Sequence, residues 1–412
     1  MISYEQALST ILETAAPLAQ RRVRLEHLLG FVLAEPVLAR FELPRFDNSA
    51  VDGYGVKLDD IREAGENNPV RLKLTDTIAA GDPGELEIMP GTTAKIFTGA
   101  AVPPSCDAVV MREFCEENNG TVTFKRSAAA GENIRRRGEE FASGQEVLPR
   151  GIRVTPPVVG LLASFGYPSF PVHEKPRVAL VITGDELIKP GLPLSPGQIY
   201  NSNAYALQAA LTALGIEEFS CYHALDSKRS TRQNLSLALD HADVVITSGG
   251  VSVGDHDYVK EVMEELGVKT VFWRIAVKPG KPVYFGTLER SRKKPPRLVF
   301  GLPGNPVSVL VTYHQFVKPA LLKIMGATET RPRTFSAFTK AALRKKAGRL
   351  DFVRGNLQSS EAGTLLVSPA RGQESHMLSG LTLADCLIHF ALQEELKESN
   401  SLIPVQLIDW YS

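Results

Sequence analysis

The chain has 412 residues, too many for one ordinary core, so two to four domains are expected. Lys plus Arg equals Asp plus Glu at 46 each, which leaves no overall field to draw in nucleic acid or an acidic membrane; any bound anion must be held locally. A hydrophobic share of 43% beside 22% charged residues is that of a soluble globular protein, and no apolar run is long enough to span a bilayer. Cys106, Cys115, Cys221 and Cys386 lie far apart without zinc or redox spacing, as in a reducing compartment.

The opening MISYEQALSTILETAAPLAQRR reads as an amphipathic helix with acidic residues and without the basic-then-apolar pattern of a leader, so a cytoplasmic protein is expected. The chain then runs extended to Pro44, and FDNSAVDGYGV reads as a loop built on Asn, Asp and Gly. From Pro69 to Val147 the alternating segments RLKLTDTI, TTAKIFTG, DAVVMREF and TVTFKR, parted by Gly, Pro and Asn, predict a β-rich domain. A short helix within GIRVTPPVVGLLASFGYPSFPVHEKP follows. From Pro176 onward strands (RVALVITG, FSCYHAL, DVVITSGG, VYFGTL, RLVFGLPG) alternate with helices, ending in one long helix through VSVLVTYHQFVKPALLKIMG. Such alternation predicts a doubly wound, mostly parallel α/β domain. After Arg331, TFSAFTKAAL, FVRGNL, GTLLVSPA, CLIHFAL and IPVQLIDW predict a small all-β domain. The basic run at 291–297 reads as a solvated turn.

Three loops of the α/β domain follow strands and precede helices: TGDEL at 183–187, TSGGVSVGDHD at 247–257 and GLPGNPVS at 301–308. In a parallel sheet all three emerge at the carboxyl ends of the strands, where α/β ligands bind. Gly249 and Gly250 let the backbone approach an anion, and open amides at the following helix start favour phosphate. Asn305 and Pro306 fit an N-cap and first helical residue, which leaves a structural role open. Asp185, Glu186, Asp255 and Asp257 sit beside these loops; acids near phosphate imply a cation, and hard oxygen ligands suggest Mg²⁺. Helix capping by Asp255 or Asp257 is the alternative. Lys278 and Lys281 stand on a loop stiffened by Pro279 and Pro282, suited to an oxyanion or, failing that, to a solvated turn. Asp47 and Asn48 are explained by turn formation, Asp52 less readily, and the arginines at 135–137 read either as a solvated hairpin or as an anion-facing edge.

The motifs FDNSAVDGYGV, KIFTGAAVP, NIRRRGEE, TGDEL, TSGGVSVGDHDYVK, KPGKPVYFG and GLPGNPVSV, in this order and spacing, resemble the MoeA family of molybdopterin molybdenumtransferases, which includes the gephyrin E domain. The resemblance covers nearly the whole chain. It implies four parts: a linker region of two segments (1–45 and 146–175), an inserted β-rich domain (46–145), an α/β molybdopterin-binding domain (176–328) and a C-terminal β-barrel (329–412). It also implies a homodimer whose cleft is shared between two chains. The implied reaction inserts molybdate into adenylylated molybdopterin in a Mg²⁺-dependent step that cleaves the pyrophosphate link and releases AMP and molybdenum cofactor. Carried over by motif, Asp52, Thr98, Glu140, Glu186, Asp226 and Asp257 are the catalytic positions, with Glu186 and Asp257 on the metal. Gly184, Asp185, Ser248, Gly249, Gly250, Ser252, Lys278, Lys281, Pro303, Gly304, Asn305, Pro306 and Ser375 are the binding positions. Glu140 stands where the family often has Asp, and Asp255 where many members have Glu; neither change removes a charge. Partners implied are the adenylyltransferase that supplies the substrate and the enzymes that accept the cofactor. The rival readings are that adenylyltransferase itself, whose usual chain lacks the flanking domains, a scaffold protein, and a tungsten-handling paralogue.

Overall fold

The computed structural model describes residues 1–250, 258–290 and 294–410. They group into two compact units, one made of Met1–Glu35, Arg150–Val159 and Pro168–Ser412, the other of Pro36–Pro149 and Gly160–Tyr167. The first unit opens with helix α1 (Tyr4–Thr14), started by a capping box in which Ser3 and Gln6 exchange bonds of 3.1 Å. Tyr4, Ala7, Leu8 and Ile11 recur at helical spacing and are buried, as the amphipathic pattern predicts.

The second unit is built on a six-stranded sheet of β1 (Gly53–Val56), β2 (Val70–Ile78), β3 (Thr92–Ile96), β4 (Ala108–Met111), β5 (Cys115–Asn118) and β6 (Thr121–Phe124), in the order β4-β1-β3-β2-β6-β5. The predicted β-rich segments are strands, but the loop expected at FDNSAVDGYGV is not one throughout: Gly53–Val56 is a fully buried strand inside the sheet, between β4 and β3. Its glycines serve packing rather than turning. A Cβ on Gly53 would lie 2.2 Å from the Val110 carbonyl oxygen, and one on Gly55 2.7 Å from Ile96 Cδ1. The predicted helix after this unit's sheet is α2 (Pro156–Ser164).

In the first unit, β7 (Val178–Thr183), β8 (Phe219–Ala224), β9 (Val244–Ser248), β10 (Lys269–Trp273), the short β11 (Val277–Lys278), β12 (Tyr284–Leu288) and β13 (Arg297–Leu302) follow one another along the chain. All but β11 form one sheet in the order β8-β7-β9-β13-β12-β10. The first four run parallel, β12 is antiparallel to both of its neighbours, and β10 at the edge again shares the direction of the first four. Strand β10 escaped the sequence reading because it is an edge strand with three exposed residues at its start. Alternation along β7 explains the two covered faces. Leu180 and Ile182 join Leu207 and Leu211 of α3 (Ser202–Ala213) on one side. Ala179 and Val181 join Leu235 of α4 (Lys228–His241) and Val262 of α5 (Tyr258–Glu265) on the other.

The single long helix expected near the end of this domain is instead α6 (Pro306–Thr312), a π-helical turn (Tyr313–Val317) and α7 (Lys318–Ile324). Pro319 has no N–H to give to the carbonyl four residues back, so the ladder widens where that bond is missing. Beyond it β14 (Thr334–Thr339), β15 (Leu350–Ser359), β16 (Leu365–Pro369), β17 (Cys386–Phe390) and β18 (Leu402–Leu407) pair in the order β15-β16-β14-β18-β17, and β15 pairs with β17 to close a five-stranded barrel. The fold is thus multidomain, α/β plus β, as the sequence indicates. No helix among the described residues is long and apolar enough to cross a membrane.

Candidate active site

At the carboxyl end of β7 the chain turns at Gly184 (φ +142°), where an added Cβ would meet the Glu186 carboxylate at 2.6 Å; Glu186 is folded back over its own turn. Asp185 and Asp226 bind each other's loops: Asp226 N–H donates to Asp185 Oδ1 at 2.9 Å, and Asp185 N–H donates to Asp226 Oδ2 at 3.2 Å. Both carboxylates are therefore engaged in holding the β7 and β8 loops together. The β9 loop begins with Gly249 (φ +93°) and Gly250 (φ +66°), and a Cβ on Gly249 would lie 2.5 Å from Thr183 Oγ1. The close approach of the β7 and β9 loops explains why glycine is required there.

The third loop, after β13, is tied to the second through a residue the sequence reading passed over. Asn203 Nδ2 donates to Ser248 Oγ at 3.0 Å and to the Gly304 carbonyl at 2.6 Å. Its signal was a second Asn two residues after the Asn201 cap. Asn305 occupies the N-cap position, yet its side chain caps nothing. Instead Asn305 Nδ2 donates to Ser375 Oγ at 3.0 Å, and Val307 N–H donates to the Ser375 carbonyl at 3.1 Å. Asn305 thus serves the barrel loop that carries Ser375, not helix initiation.

That loop is held from beneath by Arg354, which the sequence reading did not single out. The side chain is 1% exposed, and its Nη2 donates to the carbonyls of Gly372 (2.8 Å) and Glu374 (3.3 Å). Burial lowers its pKa, and its Nε has no partner. A guanidinium at a position flanked by apolar strand residues cannot be told from a surface arginine by pattern alone.

Thr183, Glu186, Ser248, Gly250, Pro303, Gly304, Asn305, Pro306 and His376 line one cavity of about 560 Å³, with Asn201, Asn203 and Pro282. Its polar lining is hydroxyls, amides, the His376 imidazole and a single carboxylate. A larger hollow of about 950 Å³ opens at the opposite, amino ends of the strands. Within it Asp243 takes 2.8 Å bonds from Arg290 Nη1 and the Arg177 backbone N–H. Convergence of the three predicted loops favours the smaller cavity as the site. Of the remaining binding candidates, Lys278 and Lys281 do not line the cavity, though Pro282 beside them does. Ser252, Asp255 and Asp257 lie outside the described residues, as does part of the basic run at 291–297.

Asp52, Thr98 and Glu140 belong to the second unit. Thr98 donates to Asp52 Oδ1 from its N–H (2.8 Å) and its hydroxyl (2.7 Å), and these bonds hold the Asp52 carboxyl below its usual range. The two loops remote in sequence do meet within this unit. Asn48 pairs with Arg135, and Asp47 accepts from Arg136 Nη1 at 2.6 Å and from the Arg137 N–H at 2.8 Å. Asp47 is therefore more than a turn former: it fixes two of the three arginines. Glu140 is exposed, and its N–H donates to the Leu43 carbonyl at 3.0 Å.

A doubly wound domain with an anion-ready edge, a β-rich insertion and a C-terminal barrel define the class. Residues 2–166 match the MoeA N-terminal region (domains I and II), 179–323 the probable molybdopterin binding domain, and 336–408 the MoeA C-terminal region (domain IV). A molybdopterin molybdenumtransferase of Haemophilus influenzae is 37% identical over 391 residues, covering 94% of each chain. One from Bacillus subtilis is 36% identical over 94% of this chain and 89% of its own. The crystal structure of the molybdopterin biosynthesis MoeA protein from Pyrococcus horikoshii aligns over 99% of this chain and 100% of that one, at 28% identity with a TM-score of 0.80. The chain belongs to the MoeA family of molybdopterin molybdenumtransferases, and is accordingly a transferase of molybdenum cofactor biosynthesis.

Proposed function

We propose that the chain inserts molybdate into adenylylated molybdopterin, cleaving the pyrophosphate link and releasing AMP and molybdenum cofactor. The observation that carries this reading is the meeting of three strand-end loops and a barrel loop at one cavity. Gly250 leaves the backbone open there, and Ser248, Asn203 and Asn305 stand around it. Fixed dipoles around a cleft act on phosphate without reorganising. Thr183, Ser248 and the backbone at Gly250 bind and orient the phosphates of the substrate. Lys278 and Lys281 offset negative charge on the incoming oxyanion. Asp52, its carboxylate fixed by Thr98, acts where the metal oxyanion reacts.

Magnesium fits the donor set in part: Glu186 offers a hard oxygen on the cavity wall, and phosphate oxygens of the substrate complete such a shell. Among the described residues no three acids, histidines or cysteines cluster into a ready-made metal cage. Glu186, with Asp257, would hold the ion, which when bound supplies positive charge against the phosphate oxygens. The working form in this reading is a cytoplasmic homodimer with the cleft shared between two molecules, fed by an adenylyltransferase and emptied by cofactor-accepting enzymes.

Reconstitution tests the proposal. Purified protein given adenylylated molybdopterin, molybdate and Mg²⁺ is expected to release AMP and form active cofactor, and Glu186→Ala to lose most of that turnover while melting normally. ATP-dependent adenylylation of molybdopterin without AMP release from the authentic substrate would favour the adenylyltransferase reading instead.

A further inference from the structure

The lysine loop is clamped along its backbone. Arg274 N–H donates to the Val283 carbonyl and Ile275 N–H to the Lys281 carbonyl, both at 3.0 Å. Gly280 (φ +103°) rests against α6, where an added Cβ would come within 2.2 Å of Thr312 Cγ2. Residues 277–278 then leave the α/β sheet as β11 and pair in parallel with the first residues of barrel strand β15, Lys278 directly beside Asp351. Leu350 N–H bonds to the Ala276 carbonyl at 2.9 Å and completes the junction. What remains free to move is the Lys278 side chain, which is 57% exposed.

Asp351 is the opposite case. Its side chain is 10% exposed, and among the described residues it forms an ion pair with Lys278 alone, Nζ to Oδ2 at 3.8 Å. A carboxylate drawn out of water persists as an anion only beside positive charge. Burial raises its pKa, and Lys278, then Lys345 and Arg349, pull it back. Lys345 is spoken for, since its ammonium donates to the Arg349 carbonyl at 2.7 Å. The separation of 3.8 Å is too long for a hydrogen bond and short enough for a strong Coulomb pull. The ammonium is therefore held near one place without being consumed, and can still turn toward a second anion.

We propose that Asp351 is a positioning residue for Lys278: a barrel carboxylate, buried at the junction of β11 and β15, sets where the lysine charge waits for a tetrahedral oxyanion such as molybdate. This gives the C-terminal barrel a role in oxyanion capture, and it rests on the reading that Lys278 meets that oxyanion.

The test compares Asp351→Asn, Asp351→Glu, Lys278→Ala and the Asp351→Asn/Lys278→Ala double variant in the full-length protein. Binding of sodium molybdate alone is followed by calorimetry, the KM for molybdate and kcat by turnover, and folding by thermal melting. Asp351→Asn is expected to weaken molybdate binding and raise its KM about threefold to fivefold, the size of a partly exposed ion pair, with a smaller change in kcat. Asp351→Glu restores part of the loss, and the double variant binds no worse than Lys278→Ala, because a positioning residue has nothing left to position. Additive losses, or a lowered melting temperature with unchanged molybdate binding in both Asp351 variants, would overturn the proposal. If Lys278→Ala itself binds molybdate as well as the parent, the functional reading of that lysine falls and the proposal with it. A loss in Lys278→Ala but none in Asp351→Asn sinks the positioning claim alone.

Discussion

The edge of the α/β sheet and the C-terminal barrel reach the same cavity by opposite means. The edge contributes backbone: Gly249 and Gly250 at positive φ bring the β9 loop against Thr183 and Val259, so that at Gly250 backbone rather than a long side chain lines the space. The barrel contributes side chains: Arg354 beneath the loop of Ser375 and His376 at the cavity, and, outside the cavity lining, Asp351 beside Lys278. A site made of backbone is rigid by construction, whereas one made of buried charges is only as rigid as its ion pairs and hydrogen bonds.

That contrast can be broken most forcefully at Arg354. Arg354→Leu strips a charged donor from the carbonyls of Gly372 and Glu374, and is expected to cost roughly 2–6 kcal/mol in thermal unfolding and to loosen the loop of Ser375. Parent-like melting in that variant would mean the buried cation does not hold the loop.

The seam between the two regions should yield next, and to acid. His314, in the π-helical turn, accepts at Nδ1 from Gln406 Nε2 at 2.9 Å, so its other nitrogen carries the proton and faces the Asp409 carbonyl at 3.2 Å. Burial first, then nearby Lys318, holds its pKa down to about 4 from 6.5. The unfolded chain therefore binds the extra proton more readily. The contribution is complete above pH 6.5, is lost as pH falls toward 4, and amounts to about 3 kcal/mol at full loss. His314→Gln is expected to flatten the fall in melting temperature between pH 6.5 and 4, and a slope unchanged by that substitution would place the acid sensitivity elsewhere.

Smaller effects sharpen the comparison. Gly249→Ala, forced to keep a left-handed backbone against Thr183, is expected to cost about 1–3 kcal/mol and to weaken substrate binding more than it weakens the fold. Asn305→Ala removes one exposed bond to Ser375 and is expected to cost about 1 kcal/mol or less, readable as faster hydrogen exchange in residues 372–377.

The same contrast explains what was legible in the sequence. Strand-to-loop-to-helix grammar marks the α/β edge, because glycine, proline and asparagine at strand ends have few other uses, and the cavity formed where those loops converge. Gly53–Val56 misled because glycine that allows close strand packing has the composition of glycine that turns. Asn305 looked like a cap, and only the position of the barrel shows that its amide is directed elsewhere. Arg354 and Asp351 sit in an ordinary strand pattern, LDFVRGNLQS, and their burial is set by partners far along the chain. Local pattern carries no trace of that.

Hydrogen exchange with and without adenylylated molybdopterin tests the central claim most directly, that backbone edge and barrel loop form two walls of one substrate site. Bound substrate is expected to slow exchange together in residues 183–187, 247–250, 303–307 and 372–377. Protection at the α/β loops with none at 372–377 would contradict the barrel's part, and protection confined to the amino ends of the strands would contradict the site itself.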